Sequence, residues 1–493
     1  MRASGILLPV ASLPSRYGIG SFSKSAYEFV DMLKEAGQKY WQILPLGPTS
    51  YGDSPYQSFS TFAGNPYFID LDQLVEGELL TEEECRQSDF GKNPEQVNYG
   101  KIYKSRFKLL RKAYERAGVG EDDAFLQFKQ ENDYWLRDYA LFMAVKDRFG
   151  GVAWNEWAED IRLRWDNAMD YYQRELYFDV EFYSWLQYLF MKQWTKLKTY
   201  ANENGIRIIG DIPIYVAFDS ADVWANPALF QFGQDNMPTA VAGCPPDGFA
   251  ADGQLWGNPL YRWDYHKATG YDWWIRRIAY CRKLYDVVRI DHFRGFDEYF
   301  SIPYGDKTAH GGHWEKGPGM DLFRAVEARL GKLDIIAEDL GYITDSVKRL
   351  VWESGFPGMK VLEFAFDSRE TSDYLPHTYN HNSVVYTGTH DNETIEGWFA
   401  GLGEADLAMC EDYMNIHREP GKKYHWDFIR LAMLSMSDLC VIPIQDYLGL
   451  DNRARINTPS TLGCNWKWRL KEGQIKPELI KEIRRITRIS ARL

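Results

Sequence analysis

Residues 286–293 read DVVRIDHF, a short apolar run that ends in charged and polar side chains. Runs of this kind recur along the whole chain, each followed by a turn with charged residues or glycine. They lie at residues 5–13, 41–47, 207–216, 286–293, 333–341, 359–364, 383–391 and 439–447. Runs this short and apolar are typical of parallel strands that are buried on both faces. The sequence therefore predicts eight buried strands.

Helical spacing of apolar residues appears between several of these runs. It covers residues 22–33, with Gly37 as a stop, residues 182–197 before the third run, and residues 322–330 before the fifth. Buried strands that alternate with helices are typical of a closed (β/α)8 barrel rather than an open sheet. We therefore predict an α/β fold of the (β/α)8 TIM-barrel type.

Two connections between the predicted strands are much longer than the others. We predict a single domain of residues 1–493, with a mostly helical insertion at approximately 48–206 after the second strand. A second insertion, at approximately 217–285 after the third strand, is rich in Pro, Gly, Asn and Trp, and we expect it to be loop-rich and to cover a cleft. Both follow the carboxyl end of a strand, the face that carries active sites in this fold. Residues 475–492 predict a final helix, and we expect no separate C-terminal β-domain.

The composition excludes several classes of partner. Acidic residues outnumber basic ones, 70 against 57, and the formal net charge is -13. Such a chain repels phosphate backbones and anionic lipid, so we expect neither nucleic acid nor membrane as a partner. No stretch approaches the roughly 18 consecutive apolar residues of a membrane helix. Aromatic residues make up 16% of the chain and often stand beside Gly, Asn and Asp, which favours an aromatic-lined cleft.

The cysteines and the N-terminus predict the compartment. Six cysteines are scattered without a CxxC pair, which in a chain of this size is typical of reduced, mostly buried thiols. The apolar run near the N-terminus contains Pro9 and lacks a small-residue cleavage site after it, so it predicts a buried strand rather than a signal peptide. We expect a cytoplasmic protein.

Three of the predicted strands end in carboxylates. The fourth, fifth and seventh runs end near Asp291, Glu338 and Asp391. A charged group at the end of a buried strand is costly unless it meets a partner or water. In a closed barrel these ends converge on one mouth, so we expect the three carboxylates to line a common pocket. Arg289, His292 and His390 accompany them.

Such a set of carboxylates suits the cleavage of a glycosidic bond. A retaining enzyme uses one carboxylate as the nucleophile and one carboxylic acid as the acid/base catalyst. Asp291 fits the first role, because the neighbouring Arg289 would favour its charged form. Glu338 fits the second, because burial and the adjacent negative charge of Asp339 would raise its pKa.

The segments around these carboxylates resemble those of amylomaltase, the 4-α-glucanotransferase or disproportionating enzyme of the glycoside hydrolase family 77 type. Three matching segments carry the carboxylates: RIDHFRG at 289–295, AEDLG at 337–341 and GTHDN at 388–392. Others follow in order along almost the full chain, namely SLPS (12–15), GIG (18–20), LPLGP (44–48), GDSPYQ (52–57), GNP (64–66), GDIP (210–213), PPD (245–247), WGNPLY (256–261), NTP (457–459) and NW (465–466).

The resemblance implies a role for each matching residue. Asp291 would be the nucleophile, Glu338 the acid/base catalyst, and Asp391 the transition-state stabiliser. The implied substrate-binding residues are Arg289, Asp211 and His292 around the nucleophile, His390 beside Asp391, Tyr56 stacked on the reacting sugar, Asp247, Gln254, Trp256 and Asn258 in the covering loop, and Ser54 and Asn465 at neighbouring sugars. The implied partners are α-1,4-glucans and maltooligosaccharides, with no cofactor and no metal.

The residues alone leave the acceptor open. Hydrolysis and transfer share the first step, so an α-amylase-type retaining hydrolase remains the alternative. The Pro-, Gly- and Trp-rich segment 244–261 would exclude water and favour an acceptor sugar, and the family resemblance favours transfer.

Two alternatives from other classes have less support. A metal-dependent barrel hydrolase would use Asp291, His292, His390 and Asp391 as ligands, but Arg289 in the same cluster argues against a divalent cation. His310 and His313 are interpreted as a polar turn. A non-catalytic glucan-binding protein would not need three intact carboxylates.

Overall fold

The computed structural model describes residues 2–50, 52–246, 251–341 and 343–493. Its strands are β1 (Ala3–Leu7), β2 (Tyr40–Gln42), β3 (Arg207–Pro213), β4 (Ala240–Cys244), β5 (Gln254–Pro259), β6 (Val287–Asp291), β7 (Glu298–Pro303), β8 (His313–Lys316), β9 (Ile335–Ala337), β10 (Gly358–Val361), β11 (Ser383–Tyr386) and β12 (Leu439–Pro443).

Eight of these strands form one parallel sheet. Their order is β10-β11-β12-β1-β2-β3-β6-β9, and each neighbouring pair is parallel. The two outer strands, β9 and β10, meet where the amide of Ala337 donates to the carbonyl of Pro357 at 3.0 Å. The sheet is thus a nearly closed barrel, and the predicted (β/α)8 architecture is confirmed. All eight predicted runs are strands of this barrel.

The strands are buried on both faces, as the apolar runs predict. On β6, Val288 and Ile290 face one side of the sheet and Arg289 faces the other, and they expose only 2%, 0% and 3% of their surface. The regular strands end earlier than the predicted runs do. The last residues of the runs leave the ladder at the carboxyl end, where Glu338 and Asp391 follow β9 and β11.

The helices are α1 (Lys24–Glu35), α2 (Leu71–Glu76), α3 (Glu82–Arg86), α4 (Tyr99–Arg116), α5 (Asp123–Arg148), α6 (Glu159–Arg162), α7 (Asp166–Glu175), α8 (Tyr177–Glu203), α9 (Ala221–Ala225), α10 (Trp263–Ala268), α11 (Asp272–Leu284), α12 (Met320–Leu330), α13 (Asp345–Ser354), α14 (Ile395–Gly401), α15 (Glu404–Met414), α16 (His425–Leu434), α17 (Ile444–Tyr447) and α18 (Pro477–Ile489). The helices predicted from spacing correspond to α1, α8, α12 and α18. Helix α1 begins after Ser23 and ends before Gly37, whose φ of 74° suits glycine.

The two long connections differ in content. The one at 48–206 contains α2 to α8, and its two longest helices, α5 and α8, pack against each other. The one at 217–285 is less loop-rich than expected, because it contains α9 to α11 and the strands β4 and β5. These two strands join β7 and β8 in an antiparallel sheet of order β5-β4-β7-β8. The bounds of the two insertions stay a prediction.

Within the described ranges, no helix combines the length and the apolar character that crossing a bilayer requires.

Candidate active site

The nucleophile end of the site is built on the neighbouring strands β3 and β6. Asp211 and Arg289 are paired in register, and both side chains are buried. Arg289 Nη1 donates to Oδ1 and Oδ2 of Asp211 at 2.8 and 2.7 Å. The same nitrogen lies 3.1 Å from Oδ1 of Asp291, which is 31% exposed. Arg289 therefore holds one fully buried carboxylate and one that the cleft can reach.

Tyr56 adds an aromatic wall to this end of the site. Its hydroxyl group donates to Oδ2 of Asp211 at 2.9 Å. Its ring stacks on the imidazole of His390, with centroids 5.1 Å apart and an interplanar angle of 17°. Trp466 lies beside both rings, at 5.8 and 6.0 Å. Tyr56 thus connects the Asp211 side of the mouth with the Asp391 side.

Burial and charge act in opposite directions on the pKa of Asp291. Burial raises it, and the positive charge of Arg289 opposes that rise. Arg289 thus favours the charged form of Asp291, as expected, but burial outweighs it and the pKa of Asp291 is raised to about 6. The negative charges of Asp211 and Asp391 add to the upward shift of the pKa of Asp291. Arg289 is also paired with Asp211, so its positive charge is shared between two carboxylates.

Glu338, directly after β9, is held by two backbone amides. The amide of His292 donates to Oε2 at 2.6 Å, and the amide of Leu340 donates to Oε1 at 2.8 Å. His292 has a φ of 56°, in the left-handed region, which lets its amide point at Glu338. This contact ties the residue that follows the nucleophile to the carboxyl group of the acid/base candidate.

The pKa of Glu338 is raised, and burial is the main cause, as predicted. The second cause is the negative charge of Asp291 rather than that of Asp339. Oδ1 of Asp339 accepts a hydrogen bond from the amide of Met359 at 2.7 Å, on the β10 side. Consecutive residues of an extended chain point to opposite sides, so Asp339 faces away from Glu338.

Asp391 is held as an ionised carboxylate. Asn457 Nδ2 donates to Oδ1 at 2.6 Å, and His390 Nε2 lies 3.3 Å from Oδ2. Burial alone would raise the pKa of Asp391, but His390 and Asn457 outweigh it and lower the pKa to about 2. The pKa of His390 is raised: burial lowers it, and Asp391 more than compensates. Each member of the pair therefore favours the charged form of the other.

His292 is the uncharged histidine of the site. Burial and the charge of Arg294 lower its pKa to about 3. The edge of the imidazole meets the indole of Trp256 at 4.8 Å and 88°. Within the described residues, Nε2 of His292 is buried and has no hydrogen-bond partner. This nitrogen is a polar group that a bound sugar hydroxyl could satisfy.

The segment 244–261, predicted to cover the cleft, lies partly within the described residues. Gln254 Oε1 accepts a hydrogen bond from Trp256 Nε1 at 3.0 Å. Asn258 donates to the carbonyl of Val216 at 2.8 Å and accepts from Gln57 at 3.2 Å. Asp247 lies outside the described residues.

The comparisons with known proteins agree on one family. Residues 8–475 match the family model described as 4-alpha-glucanotransferase. The 4-alpha-glucanotransferase of Clostridium butyricum is 50% identical over 98% of this chain and 99% of its own length. That of Thermus thermophilus is 45% identical over 100% of this chain and 99% of its own. The solved amylomaltase from Streptococcus agalactiae, in complex with acarbose, has a TM-score of 0.97, 43% identity and 100% coverage of both chains. This chain belongs to the 4-alpha-glucanotransferase family.

Membership of the 4-alpha-glucanotransferase family favours transfer over the alternative of an α-amylase-type hydrolase. The loop histidines that are interpreted as a polar turn each lie beside one carboxylate. His310 lies 3.2 Å from Asp252, and His313 lies 3.4 Å from Glu315. Across the described ranges, no group of three or more His, Cys, Asp or Glu side chains could hold a metal ion.

Two of the predicted sugar contacts are occupied by protein groups in this family member. Asn465 accepts from the amide of Thr458 at 3.0 Å and donates to the carbonyl of Thr461 at 2.9 Å, so it shapes its own loop. Ser54 Oγ accepts from the amide of Tyr56 at 3.3 Å. Their contacts with sugars, and that of Asn258, stay predictions.

Asn457 and Arg455 are site residues that were not predicted from the sequence. Arg455 donates to the carbonyls of Asp391 and Asn457, both at 2.7 Å. Asn457 lies in the NTP motif that carries the resemblance to the 4-alpha-glucanotransferase family, and this was a usable signal. Its orientation toward Asp391 depends on the chain between α17 and α18, which has little regular structure.

Proposed function

We propose that this chain transfers a segment of an α-1,4-glucan to the 4-hydroxyl group of another glucan or of glucose, by a retaining double displacement. The donors would be maltooligosaccharides or glucans derived from starch or glycogen. The observation that carries the proposal is the arrangement of Asp291 and Glu338, which end adjacent strands and are joined through the amide of His292 at 2.6 Å.

In the first step, an oxygen of Asp291 attacks the anomeric carbon of the donor, and the bond to the leaving 4-oxygen breaks. Glu338 gives its proton to that oxygen. The raised pKa of Glu338 supports this role, because the group keeps its proton near neutral pH. The products of this step are a shortened glucan with a free 4-hydroxyl group and a glycosyl ester of Asp291.

In the second step, the ionised Glu338 takes the proton of an acceptor 4-hydroxyl group. The acceptor oxygen attacks the anomeric carbon, and the ester bond to Asp291 breaks. Loss of the negative charge of Asp291 in the ester lowers the pKa of Glu338, since that charge is one cause of its upward shift. The same residue is thereby an acid before the ester forms and a base afterwards.

Asp391 would stabilise the oxocarbenium-like transition state. Its lowered pKa keeps it charged over the working pH range, and its side chain is 42% exposed. His390 and Asn457 fix both of its oxygens, which supports a preorganised role rather than a mobile one.

Tyr56 and Trp256 would form the apolar walls of the cleft. Sugar rings pack on aromatic faces and displace water, which favours a glucan over water as the acceptor. The proposal includes a cytoplasmic location, supported by the absence of CxxC pairs in the sequence.

The experiment is incubation of the pure, chelator-treated protein with maltotriose, followed by chromatography and a reducing-end assay. We expect glucose together with longer oligosaccharides, and no net gain in reducing ends. A stoichiometric rise in reducing ends would make water the acceptor and overturn transfer. Activity that returns only when a metal is restored would overturn the metal-free mechanism.

A further inference from the structure

A buried carboxyl group that the proposed mechanism does not use lies behind the loop of Asp391. Glu363 follows β10, in a short turn at Leu362–Phe364, on the same side of the barrel as the site. Its side chain is buried, and its Oε1 has no hydrogen-bond partner among the described residues. Such an atom is costly unless its position serves another purpose.

Glu363 packs against the backbone that leads to Asp391. Its amide donates to the carbonyl of Thr387 at 3.3 Å. Its Oε1 lies 2.6 Å from the place that a Cβ atom on Gly388 would occupy. The absence of a side chain at Gly388 is therefore what makes room for Glu363, three residues before Asp391.

The loop between Thr387 and Asp391 is fixed from the other side as well. Thr387 Oγ1 donates to Oδ2 of Asp446 at 2.5 Å. The amide and hydroxyl groups of Thr389 donate to Oδ1 of Asn392 at 3.0 and 2.8 Å. The loop is thus held between Asp446 and Glu363. The hydrogen bonds from Thr389 to Asn392 fix the turn that contains Asp391.

The charges around Glu363 favour its neutral form. The titratable and charged groups that face it are Asp446, Glu393 and Arg455. Burial raises the pKa of Glu363 well above its usual range, the two carboxylates raise it further, and Arg455 opposes them. Arg455 already donates to the carbonyl groups of Asp391 and Asn457.

We propose that Glu363, whose carboxyl group is wedged against Gly388, is a positioning residue for Asp391. This inference rests on the proposed role of Asp391 in transfer. The wedge fixes the loop from Thr387 to Asp391, and with it the distance between Asp391 and the reacting sugar. Ionised, Glu363 would be a third carboxylate beside Asp446 and Glu393 and would be driven out of this position.

The first test separates charge from shape in the transfer assay. Glu363→Gln keeps the shape without a charge, and we expect kcat within about twofold of the original chain at neutral pH. Glu363→Ala removes the wedge, and we expect kcat to fall at least tenfold with little change in KM, because the lost interaction acts on the transition state. Impairment of Glu363→Gln as severe as that of Glu363→Ala, or unchanged kcat in Glu363→Ala, would overturn the proposal.

The second test is a double-mutant cycle with Gly388→Ala. The new methyl group would meet Oε1 of Glu363, so we expect a loss of kcat in the single variant and a smaller loss when Glu363→Ala is also present. Gly388 does not have a positive φ, so alanine can adopt its backbone conformation. Additive losses in the double variant would show that the two positions do not communicate and would contradict the wedge.

The third test needs no activity. A group whose pKa is raised by folding loses its stabilising contribution as pH rises from its unfolded pKa toward its folded one. We therefore expect the Tm of Glu363→Gln to exceed that of the original chain by a margin that widens from pH 5 to pH 8. Exposed Glu353 gives the matched control, Glu353→Gln, for which the margin stays flat.

The outcomes of these tests distinguish a failure of the proposed role of Asp391 in transfer from a failure of the positioning role of Glu363. If Asp391→Asn retains full transfer, the role of Asp391 fails, whatever the Tm series shows. If Asp391→Asn is inactive while Glu363→Ala is fully active, only the positioning role fails. A Tm margin that does not widen with pH means that Glu363 is not held neutral, and that overturns the wedge on its own.

Discussion

The side-chain amide of Asn457 donates a 2.6 Å hydrogen bond to the carboxylate of Asp391. Asn457 belongs to the segment that follows the last barrel strand, and its own amide donates to the carbonyl of His390 at 3.1 Å. The C-terminal part of the chain therefore orients a carboxylate in the loop that follows β11. This contact makes Asn457 part of the machinery that the proposed transfer reaction uses.

Replacement of Asn457 by Leu should lower kcat for transfer. Hydrogen bonds to charged groups contribute about 1.5–3 kcal/mol, which corresponds to a loss of roughly tenfold to a hundredfold. KM should change little, because the bond matters most when positive charge develops on the sugar. Steady-state kinetics with maltotriose measure this, and Asp391→Asn in the same assay marks the maximal loss. Normal kcat in Asn457→Leu would show that Asp391 needs no such support.

Asp291→Asn and Glu338→Gln should both abolish turnover while the fold persists. The first variant lacks the attacking oxygen, and the second lacks the proton donor. Both replacements are close in shape, so the Tm should stay near that of the original chain. Glucan binding, measured by calorimetry with maltoheptaose, should be retained. Transfer at the original rate by Asp291→Asn would remove Asp291 as the nucleophile.

The pH profile should reveal the proton on Glu338. Since burial and Asp291 raise its pKa, kcat/KM for maltotriose should stay high through the range in which an ordinary glutamic acid is ionised, and should fall only at more alkaline pH. A glucosyl fluoride donor needs no protonation of its leaving group. Its kcat/KM should therefore lack this alkaline fall. The same fall with both donors would assign it to another group.

Replacement of Trp256 by Ala should shift the products from transfer toward hydrolysis. The indole packs on His292 at 4.8 Å, so its removal opens the cleft to water beside the candidate nucleophile. We expect the ratio of hydrolysis to transfer to rise several-fold, as measured by reducing ends against new oligosaccharides. Trp352, which is 81% exposed on α13, provides the matched control Trp352→Ala. An unchanged ratio in Trp256→Ala would remove the indole from acceptor selection.

Arg492 should be one of the strongest single contributors to stability outside the site. Its buried guanidinium donates to the carbonyls of Met433, Ala3, Asp438, Ser435 and Ser437. Arg492→Met would remove all of these hydrogen bonds, while Arg2 still donates to the carbonyls of Met433 and Ser435, and we expect a loss of about 2 to 4 kcal/mol.

Urea unfolding measures this loss. The control is Arg485→Met, because Arg485 is half exposed and its main partner is Glu482, three residues away. Its effect should stay within about 0.5 kcal/mol. Equal effects of the two variants would contradict the structural role of Arg492.

Much of the fold and of the candidate site was predictable from the sequence. Asp291, Glu338 and Asp391 were identified because charged residues at the ends of buried apolar runs stand out, and a barrel brings those ends together. The sheet of β4, β5, β7 and β8 was missed. Two of its strands lie in a segment rich in Pro and Gly, and their burial alternates too irregularly to give a period-two signal.

The electrostatics of the site were harder to predict. Asp339 stands next to Glu338 in sequence, but it faces the opposite side of the chain and accepts from Met359. Burial raises the pKa of Glu338 most, and the negative charge of Asp291, which is distant in sequence, is the second cause. Burial and through-space charge are properties of the folded chain, so neighbours in sequence are a poor guide to them.

The seam between β9 and β10 has a mechanical consequence. Among the described residues, β3 and β6 share a ladder from Ile209 to Pro213, whereas β9 and β10 are joined by one main-chain bond and by the side chain of Asp339. The strand of the nucleophile candidate is therefore joined to β3 by more main-chain pairing than joins β9 to β10 beside the acid/base candidate. We expect the barrel wall to deform more easily beside Glu338 than beside Asp291. Such freedom suits a group that must deliver a proton to one oxygen and collect one from another.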